Sequence, residues 1–303
     1  MVVGVFLVWF AVGLLAAQPN DVPELQIETV GTRLEMSARL RRPDEGQLRA
    51  IVELAGLSDP GAPIRVLVAD GHSDAAQSTA AWVAGVAHGP SGTIVLFPER
   101  SPRYPHDSLN DVLYHEVAHI LIHRAARGRP IPRWFNEGLA TIAERAWTAE
   151  DRRQLAWALA VGRRLPMAEV DAAFQADYRN VAQAYAVSSA FVRDVLARHG
   201  ADVPADILAT VATGASFEDA FERATGESLG DAEEVFYARV GTWERWIPLV
   251  TSPFVLWTGT TFLALLAIWR ARVRRGERRR RWDAEDPQVE EPGSVPGGDG
   301  PHT

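Results

Sequence analysis

Five residues, His115-Glu116-Val117-Ala118-His119, constrain the fold of this chain more than any other stretch. Apolar residues recur around them at helical spacing (Leu109, Val112, Leu113, Val117, Ile120, Leu121), and Asp107 or Ser108 can cap the helix. On that helix His115 and His119 lie one turn apart and point the same way. Two neutral imidazoles so placed can hold two corners of a tetrahedral zinc site. Glu116 projects beside them and can reach a metal-bound water without ligating the metal. That arrangement serves a metal-assisted hydrolase: two ligands, a general base and an open position. A third ligand must come from another segment, and Glu137 in Asn136-Glu137-Gly138-Leu139-Ala140 is the candidate. Any fold must then set the helix carrying Glu137 beside the histidine helix.

At 303 residues the chain has room for one large or two ordinary domains. It has no cysteine, which excludes disulfides, thiolate metal sites and cysteine nucleophiles. Every basic residue is Arg. Residues 270–303 hold 8 Arg and 7 acidic residues, which leaves 23 Arg and 32 acidic residues in 1–269. An acidic body argues against nucleic acid as a partner.

The two ends carry apolar runs. Val2 to Ala17 is uncharged and suits a signal peptide or signal anchor, residues 1–17, although a basic start is missing. Ile247 to Trp269 is uncharged over 23 residues, with Trp243 and Trp246 before it and Trp269 at its end. It reads as a transmembrane helix, kinked or delayed by Pro248 and Pro253. The Arg-rich stretch from Arg270 to Arg281 puts the following side in the cytoplasm by the positive-inside rule. After Trp282 the Pro-, Gly- and acid-rich tail to residue 303 reads as disordered. The body at 20–245 is thus expected outside the cytoplasm, tethered by its C-terminal span.

Within the body, Ile27–Val30 and Arg33–Ser37 read as strands around Gly31-Thr32. Asp44 opens a helix with Leu48, Ile51, Val52 and Leu54 on one side. Ile64–Ala69 reads as an inner strand, and Trp82–Ala87 with Thr93–Phe97 as a hairpin. The histidine helix runs to about Ala126, and a second helix from about Arg133 to Trp147 carries Glu137. Helices follow at about 149–162, 168–175, 180–199, 203–212, 216–224 and 228–240. The expected class is α+β: a small mixed sheet and the histidine helix in 20–126, then a helical part in 127–245.

With Pro132-Arg133-Trp134-Phe135 leading into Asn136-Glu137-Gly138-Leu139-Ala140, the motif pair resembles the gluzincin group of zinc metallopeptidases. More narrowly it is similar to bacterial peptidase-MA-like domains, and Ala184-Tyr185-Ala186, Phe191-Val192, Arg198-His199-Gly200 and Gly214 fit their helical part. The resemblance implies a zincin-like fold, one Zn²⁺ on His115, His119 and Glu137, Glu116 as the base, and a peptide or protein substrate. It also implies a donor to the carbonyl oxygen as that oxygen gains charge, with Tyr185 the candidate and Tyr178 and Tyr114 its rivals. In thermolysin-like relatives an acidic residue one turn after the third ligand supports a histidine, and here Thr141 stands there. Glu144, two turns on, could substitute for that support, although a solvated helix face is the reading preferred for it; Asn136 is expected to bond backbone near the cleft, and His123 to be packed or at the surface. By analogy, Trp82 to Ala87 is an edge strand along which a peptide could lie. The missing Gly-x-Met-x-Asn motif favours an endopeptidase over an aminopeptidase. A catalytically silent fold used for envelope binding or assembly is the alternative from another class.

Overall fold

A computed structural model of the chain describes residues 21–30, 38–161, 166–175, 178–244 and 253–285. They fall into two compact units, Met1–Glu244 and Arg245–Thr303. The first opens with strands β1 (Leu25–Val30), β2 (Ile64–Ala69), β3 (Gly85–His88) and β4 (Thr93–Leu96), in the sheet order β1-β2-β4-β3. β2 runs parallel to both β1 and β4, and β3 is antiparallel to β4, so the sheet is mixed as expected. Ile64, Val66 and Val68 alternate into the core from the inner strand β2. The β3–β4 hairpin forms through a short turn at Gly89–Ser91, with Gly85 opposite Leu96, but its first strand begins at Gly85 and not at the expected Trp82. This leaves β3 at the edge of the sheet. β1 pairs with β2, and the expected partner strand Arg33–Ser37 lies outside the described residues.

Helix α1 (Glu45–Leu54) starts where Asp44 Oδ1 accepts from Gln47 N at 2.8 Å, and it buries Leu48, Ile51 and Val52. A short helix α2 (Asp74–Gln77) occupies part of 72–81, a stretch for which no element was expected. Helix α3 (Leu109–Ala125) carries the two histidines and is capped by Ser108, whose Oγ accepts from Asp111 N. One expectation changes here. The apolar spacing of Leu109, Val112, Leu113, Val117, Ile120 and Leu121 suggests one buried side, flanked by the histidines and Glu116, yet α3 is buried almost all round, including Tyr114, His115, Glu116 and Ile122. The reason is that β3, β4 and α1 cover part of it while α4 (Arg133–Glu144) packs along the rest. Polar side chains inside so enclosed a helix must find partners within the protein.

Two contacts fix α4. Pro132 at its start offers no capping side chain, and Asp171 on α6 (Met167–Ala173) accepts instead from the backbone N–H groups of Arg133 and Trp134. At Gly138, α4 meets α7 (Tyr178–His199) so closely that a Cβ would lie 2.8 Å from Val192 Cγ2 and 2.9 Å from Ser188 O. Glycine inside a helix costs about 1 kcal/mol in propensity, and this approach explains why the Glu-Gly pair carries it. The helical part includes α5 (Ala149–Val161), α8 (Val203–Ala212), α9 (Phe217–Thr225) and α10 (Leu229–Glu244), close to the expected bounds. Its core joins Trp134, Phe135, Phe191, Phe217 and Phe236 in edge-on and tilted ring contacts.

The second unit holds helix α11 (Pro253–Glu285). Trp257, Phe262, Leu263, Leu265 and Trp269 on it are exposed. Among the described residues no helix is long and apolar enough to cross a membrane. The expected span Ile247–Trp269 is described only from Pro253 on, within this helix. Its described part, Pro253 to Trp269, extends roughly 25 Å at about 1.5 Å per residue. The same helix then runs on through Arg270. Residues 247–252, the first run Val2–Ala17 and the tail from 286 lie outside the described residues.

Candidate metal centre

Two helices supply the donors. His115 and His119 project from α3 on one side, and Glu137 meets them from the first half of α4. Glu137 Oε2 stands 3.3 Å from His115 Nε2 and 3.5 Å from His119 Nε2. The three donor atoms lie within 4.8 Å of one another, close enough to share one ion. Glu137 Oε1 accepts from Arg133 Nε at 3.2 Å, one helical turn back, so Oε2 is the oxygen presented to the histidines.

Each imidazole is held from behind. His115 Nδ1 donates to Glu144 Oε2 at 2.8 Å, and His119 Nδ1 to Asn136 Oδ1 at 2.9 Å. A carboxylate can only accept, so Nδ1 of His115 carries a proton, and once the ring is neutral Nε2 is left as the lone-pair donor. Two expectations are corrected. Glu144 is buried rather than on a solvated face, because it follows α4 inward to His115 and to His106, whose Nδ1 lies 2.9 Å from the same oxygen. Asn136 bonds the His119 side chain rather than backbone. Thr141 is buried, and its hydroxyl has no hydrogen-bond partner among the described residues. Glu144, one turn beyond it, supports the ligand instead.

The electrostatics follow from burial and these bonds. Burial alone would lower the His115 pKa, but hydrogen bonds to Glu137 and Glu144 outweigh it and push the group up to about 10. His119 is raised against burial by Glu137. Glu137 is held well below the usual carboxylate range, since its bonds to His115 and His119 overcome the cost of burial. Glu144 is lowered against burial by His106 and His115. The cluster thus binds protons where a cation would sit, and a metal would displace them. Two imidazole nitrogens and one carboxylate oxygen, each with an oriented lone pair, fit such a cation.

Glu116 differs from its neighbours. Burial raises its pKa, and the pull of His119, His115 and His106 offsets that only in part. The shift moves it toward the range useful to a general base. It lies directly under the edge strand: a Cβ on Gly85 would fall 2.8 Å from Glu116 Oε1 and 2.7 Å from Val112 Cγ1. Glu116, His106 and Tyr185 line one small cavity together with Trp82–Gly85, Tyr104 and Pro105. Tyr185 reaches it from α7, its ring centroid 5.9 Å from that of His115. Burial, then the charges of Glu137 and Glu116, push its pKa well above the ordinary phenol value, so it stays a donor. Tyr114 places its hydroxyl at the start of α1, where it accepts from Asp44 N at 2.9 Å, and it does not line the cavity that Glu116 and Tyr185 share. Tyr178 opens α7, and its side chain lies outside the described residues. His123 is packed against Gly89, whose missing Cβ would fall 2.5 Å from the ring.

The family model of the Peptidase MA superfamily matches residues 48–241, more than half of the chain. The chain belongs to this superfamily. Searches of curated proteins and of solved structures returned no match. The matched stretch contains all of the centre, from His106 to Tyr185, and ends within α10. Membership in the Peptidase MA superfamily accords with a metal-dependent hydrolase, and the converging His and Glu donors are where its ion would be held. His106 is the residue that reading the sequence missed. It precedes α3 in a loop, outside any helical period, and only the position of Glu144 reveals it.

Proposed function

We propose that this chain is a zinc-dependent peptidase that cleaves peptide bonds, with preference for internal ones. The observation that carries the reading is the convergence of His115 Nε2 and His119 Nε2 on Glu137 Oε2, each histidine fixed at its other nitrogen. Zinc bound there supplies Lewis acidity, bringing the pKa of a water toward about 7 and polarising a carbonyl. Glu116 takes the proton of the attacking water at its carboxylate and passes it to the leaving amine nitrogen. The Tyr185 hydroxyl donates to the carbonyl oxygen as it becomes negative. The free edge of β3 receives the substrate as an added strand, its backbone paired beside Glu116.

The uncharged run Ile247–Trp269 and the Arg-rich stretch after it support a further part of this reading. The catalytic unit is tethered at a membrane by its C-terminal segment and works on the extracytoplasmic side, with the tail in the cytoplasm.

The test is a peptide library offered to zinc-loaded full-length protein beside Glu116→Gln. The expected outcome is cleavage by wild type and loss of at least the 10²–10⁴-fold contributed by general acid–base catalysis in the variant, with zinc retained in both. Zinc binding without cleavage of any peptide would instead favour a silent binding module. Cleavage restricted to N-terminal residues would make it an aminopeptidase.

A further inference from the structure

We propose that His106 is a positioning residue for the metal centre, acting through Glu144. The proposal rests on reading His115, His119 and Glu137 as zinc ligands. His106 lies in the loop between β4 and α3, in a turn where its backbone N–H donates to Arg103 O at 2.9 Å. Its Nδ1 lies 2.9 Å from Glu144 Oε2, the oxygen that also takes His115 Nδ1 at 2.8 Å. The two rings meet edge to face, with centroids 4.9 Å apart.

The Glu144 side chain has no solvent exposure. Its other oxygen, Oε1, has no hydrogen-bond partner among the described residues. Arg145 Nε is 3.2 Å from that oxygen, but it directs its hydrogen bond to Pro105 O at 2.8 Å. The carboxylate that orients His115 is therefore gripped by two donors on one oxygen, and His106 is the one outside the set His115, His119 and Glu137. A buried carboxylate stripped of a donor pays heavily unless it turns to find another. Turning toward Arg145 would draw Oε2 away from His115 Nδ1 and leave Nε2 of His115 poorly aimed. His106 thus supports a ligand from outside the ligand's own helix, at one remove from the metal.

The experiment measures the zinc affinity of the metal-free full-length chain by competition with a chromophoric chelator, for wild type, His106→Ala, His106→Gln and His106→Asn. An Asn amide nitrogen falls near the place of imidazole Nδ1 and keeps the bond to Glu144, whereas Gln carries its amide past it. His106→Ala and His106→Gln should weaken zinc near the lower end of the roughly 10–100-fold typical of lost outer partners. His106→Asn should stay close to wild type, and its Co²⁺-substituted form should keep the wild-type visible absorption bands. Unchanged affinity in His106→Ala, or His106→Asn as weak as His106→Ala, would overturn the proposal while the zinc reading stands. A wild-type chain that takes up no zinc would overturn both.

Discussion

Among the described residues three groups of three side chains lie close enough to share a cation; one, His106, His115 and Glu144, is the support behind His115, and the other two are built in opposite ways. His115, His119 and Glu137 sit inside the protein between α3 and α4. Asp70, His72 and Glu99 gather where β2 ends and in the turn after β4, with His72 and Glu99 exposed. In the first group Glu144, Asn136 and Arg133 hold the atoms that face away from the shared point. In the second, the contacts are local: Asp70 Oδ1 accepts from the backbone of His72, and Glu99 lies over Gly71. Exposed acids cost the fold little and need no purpose, whereas buried ones persist only when paired. Proximity of ligand atoms is common to both groups. Of these two, only the first has oriented support from behind, and that favours it as the proposed metal centre.

That contrast can be broken most forcefully at Glu137. Glu137→Ala removes a ligand and should weaken zinc by more than the roughly 10–100-fold lost with an outer partner. Glu144→Gln should fall within that range, because His115 keeps its place but loses a charged acceptor. Calorimetric zinc titration of both variants ranks them, and a Glu144→Gln affinity equal to wild type would remove the distinction between the groups.

A pH series sharpens it further. His115 is raised from about 6.5 to about 10 in the folded, metal-free chain. That protonation stabilises the fold fully below about pH 6.5, and the contribution is lost as pH rises through about 10. The thermal midpoint of the metal-free protein should therefore fall between those values. Zinc affinity should rise over the same window, by roughly tenfold per unit for each proton displaced. The smallest effect is expected from the surface group: His72→Ala and Glu99→Gln should change stability by no more than about 0.5 kcal/mol and leave zinc stoichiometry untouched. Loss of metal from either would show that the wrong cluster was chosen.

Much of the centre was legible because its ligands obey local rules. His115 and His119 share a helical face by spacing alone, and Asn136 to Ala140 announces a helix that must meet them. Strands β2 and β4 and most helix bounds follow from apolar period and capping residues such as Ser108 and Asp44. What escaped depends on contacts distant in sequence. The sequence offers Glu144 as a support for a histidine only beside the commoner reading of a solvated face, and the choice is made when the chain before α3 folds back and brings His106 to it. The enclosure of α3 was hidden because its polar motif interrupts the apolar pattern that ordinarily marks burial. The role of Gly138 became clear only when α7 was seen pressed against it. At the C-terminus, hydropathy caught the apolar run but not the continuation of one helix through its Arg-rich end.

X-ray absorption at the zinc edge, on the zinc-loaded full-length chain and on Glu137→Ala, tests the metal centre most directly. The expected spectrum shows one zinc per chain with two imidazole nitrogens at about 2.0–2.1 Å and carboxylate or water oxygens completing four ligands, and Glu137→Ala should lose the ion or its carboxylate. Absence of bound zinc, a third imidazole in the shell, or a spectrum unchanged in Glu137→Ala would contradict it.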